Sequence, residues 1–191
     1  QGRVGIGTVP SVWRTAYPDK VLDLGAHSAL YDQFGGSTFL ANNFYRSNDN
    51  SFKYKTTAGA TAISLDAGQI GFLTAPSGTA GATATLTNHM LIDNQGRVGI
   101  GTSSVAGYSN GSLQVHATSG LGAGLWLTES ASGSGVSDGL RIVQYNNNSA
   151  LYNGESGYMA FGLSTTERMR LNADGSCRWT PDGTTHDMTL T

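Results

Sequence analysis

Met90-Leu91-Ile92-Asp93-Asn94-Gln95-Gly96-Arg97-Val98-Gly99-Ile100-Gly101-Thr102 is the stretch whose reading decides the fold. Met90, Leu91 and Ile92 are a short apolar run. Asp93-Asn94-Gln95-Gly96 is a turn with Gly where a positive φ is needed, and Arg97-Val98-Gly99-Ile100-Gly101 returns as a strand. The stretch predicts a β-hairpin. By the two-residue strand period, Val98 and Ile100 share one face while Gly99 and Gly101 occupy the other. A face of bare glycine permits close approach of another backbone, so Val98, Gly99, Ile100 and Gly101 are expected to lie against neighbouring chains near a crowded axis.

The same pattern recurs along the chain. Residues 1–8, Gln-Gly-Arg-Val-Gly-Ile-Gly-Thr, are repeated letter for letter at 95–102. Further on, Met169-Arg170-Leu171-Asn172-Ala173-Asp174-Gly175 has the shape of Met90 to Gly96, and Met188-Thr189-Leu190-Thr191 begins it once more. In the later copy Cys177 and Trp179 replace Val98 and Ile100, and Arg178 replaces Gly99; close backbone approach is not expected there, and Trp179 fits a widened section. A period of this kind marks a repeat protein. The divisions are 1–18, the end of a preceding repeat with a connector; 19–102, a complete repeat; 103–180, a second; and 181–191, the start of a following one. A further turn Gly and a Val-Gly-Ile-Gly-like strand are expected after Thr191.

Between the hairpins stand short β-prone runs: 21–24, 37–40, 44–46, 52–55, 62–65, 70–73 and 82–86, then 113–116, 124–127, 140–145, 150–152 and 158–163. Asn, Asp, Gly and Ser clusters separate them at the spacing of an all-β domain. No long window carries a helical apolar stripe free of Gly, apart from a short start at Val12-Trp13-Arg14-Thr15. The fold class is all-β.

Composition agrees and narrows the partners. Glycine supplies 27 of 191 residues, and charged residues only 13%, about half the usual share. Leu, Ile, Val and Phe together make up about a fifth of the chain, at the edge where folding becomes difficult. A net charge of −2 is too small for solvated disorder. The chain therefore reads as ordered, with a thin apolar supply that partner chains complete. Its 11 basic and 13 acidic residues are scattered, leaving no footprint for nucleic acid or an anionic membrane. The charge-free stretches 67–92 and 98–128 are too rich in Gly, Thr, Ser and Asn to insert in a bilayer. Gln1-Gly2-Arg3-Val4 lacks an apolar signal-peptide region, and the abrupt start fits a piece of something longer. The single Cys177 excludes an intrachain disulfide and a two-thiolate zinc site.

The hairpin stretch, with Glu167-Arg168-Met169-Arg170-Leu171-Asn172-Ala173-Asp174-Gly175, resembles repeat ends in the tail fibres of tailed bacteriophages. The stretches Phe72-Leu73-Thr74-Ala75-Pro76-Ser77-Gly78-Thr79-Ala80-Gly81 and Phe52-Lys53-Tyr54-Lys55-Thr56-Thr57-Ala58-Gly59-Ala60 are similar to segments common in that group. Such fibres often end in an intramolecular chaperone, whose catalytic residues have no counterpart in this sequence. The resemblance implies an elongated, intertwined homotrimeric β-structure, of β-sandwich, β-prism or triple β-helix type. It also implies a fibrous virion appendage outside the cell and a role in host attachment. The partners are then two identical chains and other fibre segments. A bacterial surface fibre of prophage ancestry shares the motif.

Three readings compete. As a structural and adhesive fibre segment, the chain needs no enzymatic activity, cofactor or metal. As a receptor-binding module for host cell-surface glycan, it would use rings that stack on sugars and amides that meet hydroxyls. Two loops qualify, one with Tyr31, Phe34, Asn43 and Tyr45, the other with Tyr145, Asn147 and Tyr152; a trimer would multiply a modest site threefold. As a polysaccharide depolymerase, it would need paired carboxylates. Asp19 and Asp23 are the pair an extended segment would align, whereas Asp93 and Asp174 belong to turns and Asp182 and Asp187 flank a loop. His27, His89, His116 and His186 lack metal-ligand spacing, Cys177 fits a packed position, and neither Gly-Ile-Gly copy continues as a dinucleotide fingerprint. Asn110-Gly111-Ser112 and Asn147-Asn148-Ser149 match the glycosylation sequon, a common accident in an Asn-rich chain.

Overall fold

Short apolar alternations broken by turn residues fold into strands, and no helix forms among the described residues. The structure is a computed structural model, and it describes residues 2–106, 111–118, 122–131, 133–135, 137–164 and 166–180, with the backbone of 186–188. The chain divides into two units, Gln1–Ala117 and Thr118–Thr191.

The first unit holds β1 (Arg3–Ile6), β2 (Lys20–Leu24), β3 (Ser28–Gln33), β4 (Ser37–Asn42), β5 (Phe44–Arg46), β6 (Phe52–Tyr54), β7 (Ala58–Asp66), β8 (Gln69–Gly78), β9 (Thr87–Ile92), β10 (Val98–Ile100) and β11 (Leu113–Val115). Nine of them make one sheet in the order β1-β2-β3-β4-β7-β8-β9-β10-β11, and β5 and β6 form a separate hairpin. The core is built on one face of the sheet. Val21, Tyr31 and Phe39 stand there in register and buried. Trp13, fully buried, packs on Tyr31 with ring centroids 4.7 Å apart. Phe44 and Phe52 of the small hairpin meet edge to face at 5.0 Å, and Phe52 lies 5.9 Å from Phe39.

The decisive hairpin has the expected form. Val98 faces Ile92, Gly99 faces Leu91 and Ile100 faces Met90. Gly96 takes φ 73°, its N–H donates to the Asp93 carbonyl at 3.0 Å, and the Asp93 N–H donates to the Arg97 carbonyl at 3.0 Å. The later copy repeats these bonds from Gly175 to Asn172 and from Asn172 to Ser176, with Gly175 at φ 84°.

Both copies of the octapeptide go on to make the same parallel crossover. β1 pairs in parallel with β2, and β10 with β11. Each connector folds back over its own glycine strand. A Cβ on Gly99 would stand 2.8 Å from Val105 Cγ2 and 3.0 Å from the Thr102 carbonyl oxygen, and one on Gly5 only 2.1 Å from the Thr8 carbonyl oxygen. Within one chain, Gly5 and Gly99 are thus each covered by the connector that follows them. The connector is then caught by a side chain of the second strand. Asp23, opposite Gly5, accepts from the Ser11 N–H at 2.7 Å; Gln114, opposite Gly99, accepts from the Ala106 N–H at 2.8 Å.

The second unit holds β12 (Ala123–Leu127), β13 (Leu140–Tyr145) and β14 (Asn148–Asn153) in one antiparallel sheet, and β15 (Met159–Leu163), β16 (Thr166–Leu171), β17 (Cys177–Trp179) and β18 (His186–Met188) in another. Three sequence expectations fail. Residues 31–33, read as part of a loop, belong to the strand β3. Residues 82–86 hold only an isolated bridge from Thr83 to Lys53, made by the Tyr54 N–H donating to the Ala82 carbonyl and the Ala84 N–H donating to the Phe52 carbonyl. Residues 12–15 have no helical turn; they cross the sheet so that Trp13 reaches the core.

Candidate functional site

The feature that asks for a partner is the other face of the nine-stranded sheet. Val4, Leu22, Leu30, Leu40, Ile63, Phe72, Met90, Ile100 and Val115 stand directly opposite one another, one from each strand. Such a row lies on a single face by construction, since cross-strand partners point the same way. None of the nine is buried. Beside the row, Leu65, Ile70, Ile92, Val98 and Leu113 form a second line in register. The only Asp, Glu, Lys or Arg at described strand positions of this face are Lys20 and Asp32, opposite each other at one margin. A depression of about 360 Å³ between Leu40, Ile63, Phe72 and His89 marks its centre.

Exposure makes the point quantitative. Leu30, Leu40 and Val4 are 47%, 55% and 55% exposed. The face presents on the order of 1,000 Å² of apolar surface, beyond the largest patch of an ordinary monomer and enough for one side of a stable interface. The second unit is barer still. Among its described residues only Gly139 is buried. Leu125, Ile142 and Leu151 form an open in-register row, and so do Phe161, Met169 and Trp179. Trp179 therefore ends an apolar row at 43% exposure. Cys177 is half-buried and free.

The glycan-contact candidates part company. Tyr31 is fully buried on the inner face, and its hydroxyl donates to Asp19 at 3.1 Å. Asn43, 1% exposed with φ 62°, accepts from the Thr56 N–H at 2.8 Å and donates to the carbonyls of Thr56, Ala58 and Gly59. Both are therefore removed from any receptor surface, because alternation turns Tyr31 inward and Asn43 is the left-handed corner joining β4 to β5. Tyr45 is half-buried, 6.3 Å from Trp13. Phe34 is 57% exposed and stacks on Tyr17 at 5.8 Å. Tyr145 and Tyr152 are 50% and 49% exposed. They share a face of the β13–β14 hairpin with Trp126 and Arg141, whose guanidinium lies 5.1 Å from the Tyr152 ring. Asn147 lies exposed in the turn.

Asp19 and Asp23, the carboxylates proposed for depolymerase chemistry, are both buried and occupied. Asp19 accepts from Arg14 Nε at 2.5 Å, Arg14 Nη2 at 2.9 Å and the Phe34 N–H at 2.8 Å. Burial alone would push its carboxyl up, but Arg14, the Phe34 amide and the Tyr31 hydroxyl outweigh that and hold it below the usual carboxylate range. Burial, with Asp19 alongside, pushes the Tyr31 phenol up. Asp23 accepts from Lys55 Nζ at 2.5 Å and Trp13 Nε1 at 2.9 Å. These carboxylates pin the connector to the sheet. Asp93 and Asp174 serve the turns, capping Gln95, Arg97 and Ser176. Asp182 lies outside the described residues, and of Asp187 only the backbone is described. Among the described residues no cluster of His, Cys, Asp and Glu could hold a metal ion.

The open rows had a sequence signal. Val21-Leu22, Leu30-Tyr31, Phe39-Leu40-Ala41, Ala62-Ile63, Phe72-Leu73 and Met90-Leu91-Ile92 are apolar at consecutive positions, the mark of strands covered on both faces. Comparison of the chain with family models, with curated proteins and with solved structures found no match.

Proposed function

We propose that this chain is a structural and adhesive segment of a bacteriophage tail fibre, a homotrimer that contributes to host attachment from the virion surface. The open, in-register apolar rows carry this reading. A chain with one covered sheet face and little core in its second unit gains from neighbours what it lacks alone. The tail-fibre likeness of the repeat ends supplies the number three. Its mechanism is mechanical: interchain burial gives the resistance to unfolding that an extracellular appendage needs.

Light scattering on the purified chain is expected to report three copies, and a well-folded monomer would sink the proposal. Replacing Leu40 and Ile63 together by Asp is expected to release monomers that retain the inner-face core. A trimer unaffected by that pair would move the interface off this sheet.

Attachment itself is best supported at the exposed face bearing Tyr145, Tyr152 and Arg141, where rings and a cation stand together on a short hairpin. Tyr145→Ala with Tyr152→Ala is expected to cut binding of the trimer to host-cell glycan at least tenfold with assembly intact. Unchanged binding would leave the chain a purely structural segment.

A further inference from the structure

The strands β1 and β10 carry the same residues and behave alike on one side only. Toward the parallel partner, Ile100 accepts from the His116 N–H at 2.8 Å, and Ile6 accepts from the Gly25 N–H at 2.9 Å. On the other side β10 is bordered by β9, whereas β1 is bordered by no strand among the described residues. The bonds of β10 identify the groups concerned. The Gly101 N–H donates to the His89 carbonyl at 2.9 Å, the Arg97 carbonyl accepts from the Asp93 N–H, and Gly99 sits opposite Leu91 between them. The alternate residue Val98 donates the other way, to the Ser112 carbonyl. Carried onto β1, this alternation points the backbone groups of Arg3, Gly5 and Gly7 at the open edge.

We propose that the free edge of β1 is a docking site for one antiparallel strand of the β9 type, apolar at three consecutive positions and entering from a turn ahead of Gly2. An unpaired edge is a template for strand addition, and β9 shows the occupant this sequence selects. Its outer residues, the counterparts of Ile92 and Met90, would stand opposite Val4 and Ile6 and extend the apolar face beyond β1. Its middle residue, the counterpart of Leu91, would face Gly5 as Leu91 faces Gly99. The β9 of a second copy is not the source, because both of its edges are taken by β8 and β10. One feature of the β9 turn is not needed. Arg97 pairs with Asp93 at 2.6 Å, but Arg3 already donates to the carbonyls of Trp13 and Arg14 at 2.6 and 2.8 Å. Repeats would thus be joined through the backbone, each hairpin closing the sheet that follows it, whatever the number of chains in the assembly.

The test extends the full chain at its N-terminus with a copy of residues 87–94, so that the added strand stands ahead of Gln1 as the original stands ahead of Gln95. A second variant carries the same eight residues scrambled. Hydrogen exchange of the Gly5 and Gly7 amides is read at two protein concentrations, with Gly99 and Gly101 as the folded reference. The native extension is expected to slow Gly5 and Gly7 by about 10- to 100-fold, toward the reference pair, and the scrambled one to leave them fast. Equal protection by both extensions, or by neither, overturns the proposal. Protection already present in the unextended chain and lost on dilution overturns it too, by assigning the edge to a second copy. The readout is local to β1, so failure here leaves the trimer proposal untouched, and failure of the trimer leaves this one standing.

Discussion

Asp23→Ala is expected to cost about 3–5 kcal/mol, the range for breaking a buried ion pair by removing one partner. Asp23 is 0% exposed, and the Lys55 side chain facing it is 4% exposed. Alanine would leave the Lys55 ammonium buried, with the Ser28 carbonyl at 3.5 Å and the Trp13 ring centroid at 5.5 Å. It would also strip the acceptor from the Trp13 indole N–H and the Ser11 N–H, each a further loss when no water replaces it. The effect is mostly that of an orphaned charge, so Asp23→Ala combined with Lys55→Met should recover a large part of it. Urea unfolding at fixed protein concentration separates the cases, since association shifts apparent stability. A single variant within 1 kcal/mol of the parent would mean that the pair is not buried in the working assembly.

The same ion pair shows where the sequence is legible and where it is not. Its turns are local: Asp, Asn and Gly at fixed offsets set the hairpins at Gly96 and Gly175 without help from distant residues. Strand identity is nearly as local, which is why most runs from Val21 to Leu163 fall where their alternation places them. Partners are not local. Nothing in Val21-Leu22-Asp23-Leu24 says that it lies parallel to β1 or that Lys55 will meet Asp23. Both depend on a crossover whose anchor, Trp13, stands in a segment whose only sequence pattern, a short helical start, does not form. The expectation of glycan contact at Tyr31 and Asn43 fails for the same reason, because a Tyr or Asn in a polar stretch looks alike whether it points out or in. The open rows were legible in outline as strands apolar at both parities, but their alignment into one line across nine strands needed the register.

Gly101→Ala is expected to undock β11 from β10, an effect of about 3 kcal/mol or more at that edge. Two costs combine. Gly101 sits at φ 75°, where an L-residue pays roughly 1–2 kcal/mol. Its new Cβ would also lie 2.1 Å from the His116 carbonyl oxygen, a collision with backbone that no rotamer change relieves and that overpacking data place at about 1–3 kcal/mol. Gly7→Ala isolates the first cost, because Gly7 has φ 69° and open space around the same position. The difference between the two variants is therefore the collision alone. Among the described residues β11 has β10 as its only sheet neighbour, so the loss is capped at the free energy of releasing that strand, and a global melt understates it. Exchange of the Val98 and His116 amides, both bonded across the β10–β11 pair, reads it directly. Those amides should exchange at least a hundredfold faster in Gly101→Ala, whereas the equivalent amide of the first copy, Gly25 N–H bonded to the Ile6 carbonyl, should quicken much less in Gly7→Ala, and Ser134→Val in an exposed loop leaves all three unchanged. If Gly101→Ala reduced the number of chains in the assembly and left both amides protected, the glycine would be answering to a neighbouring chain, and the intrachain account of its bare face would fail.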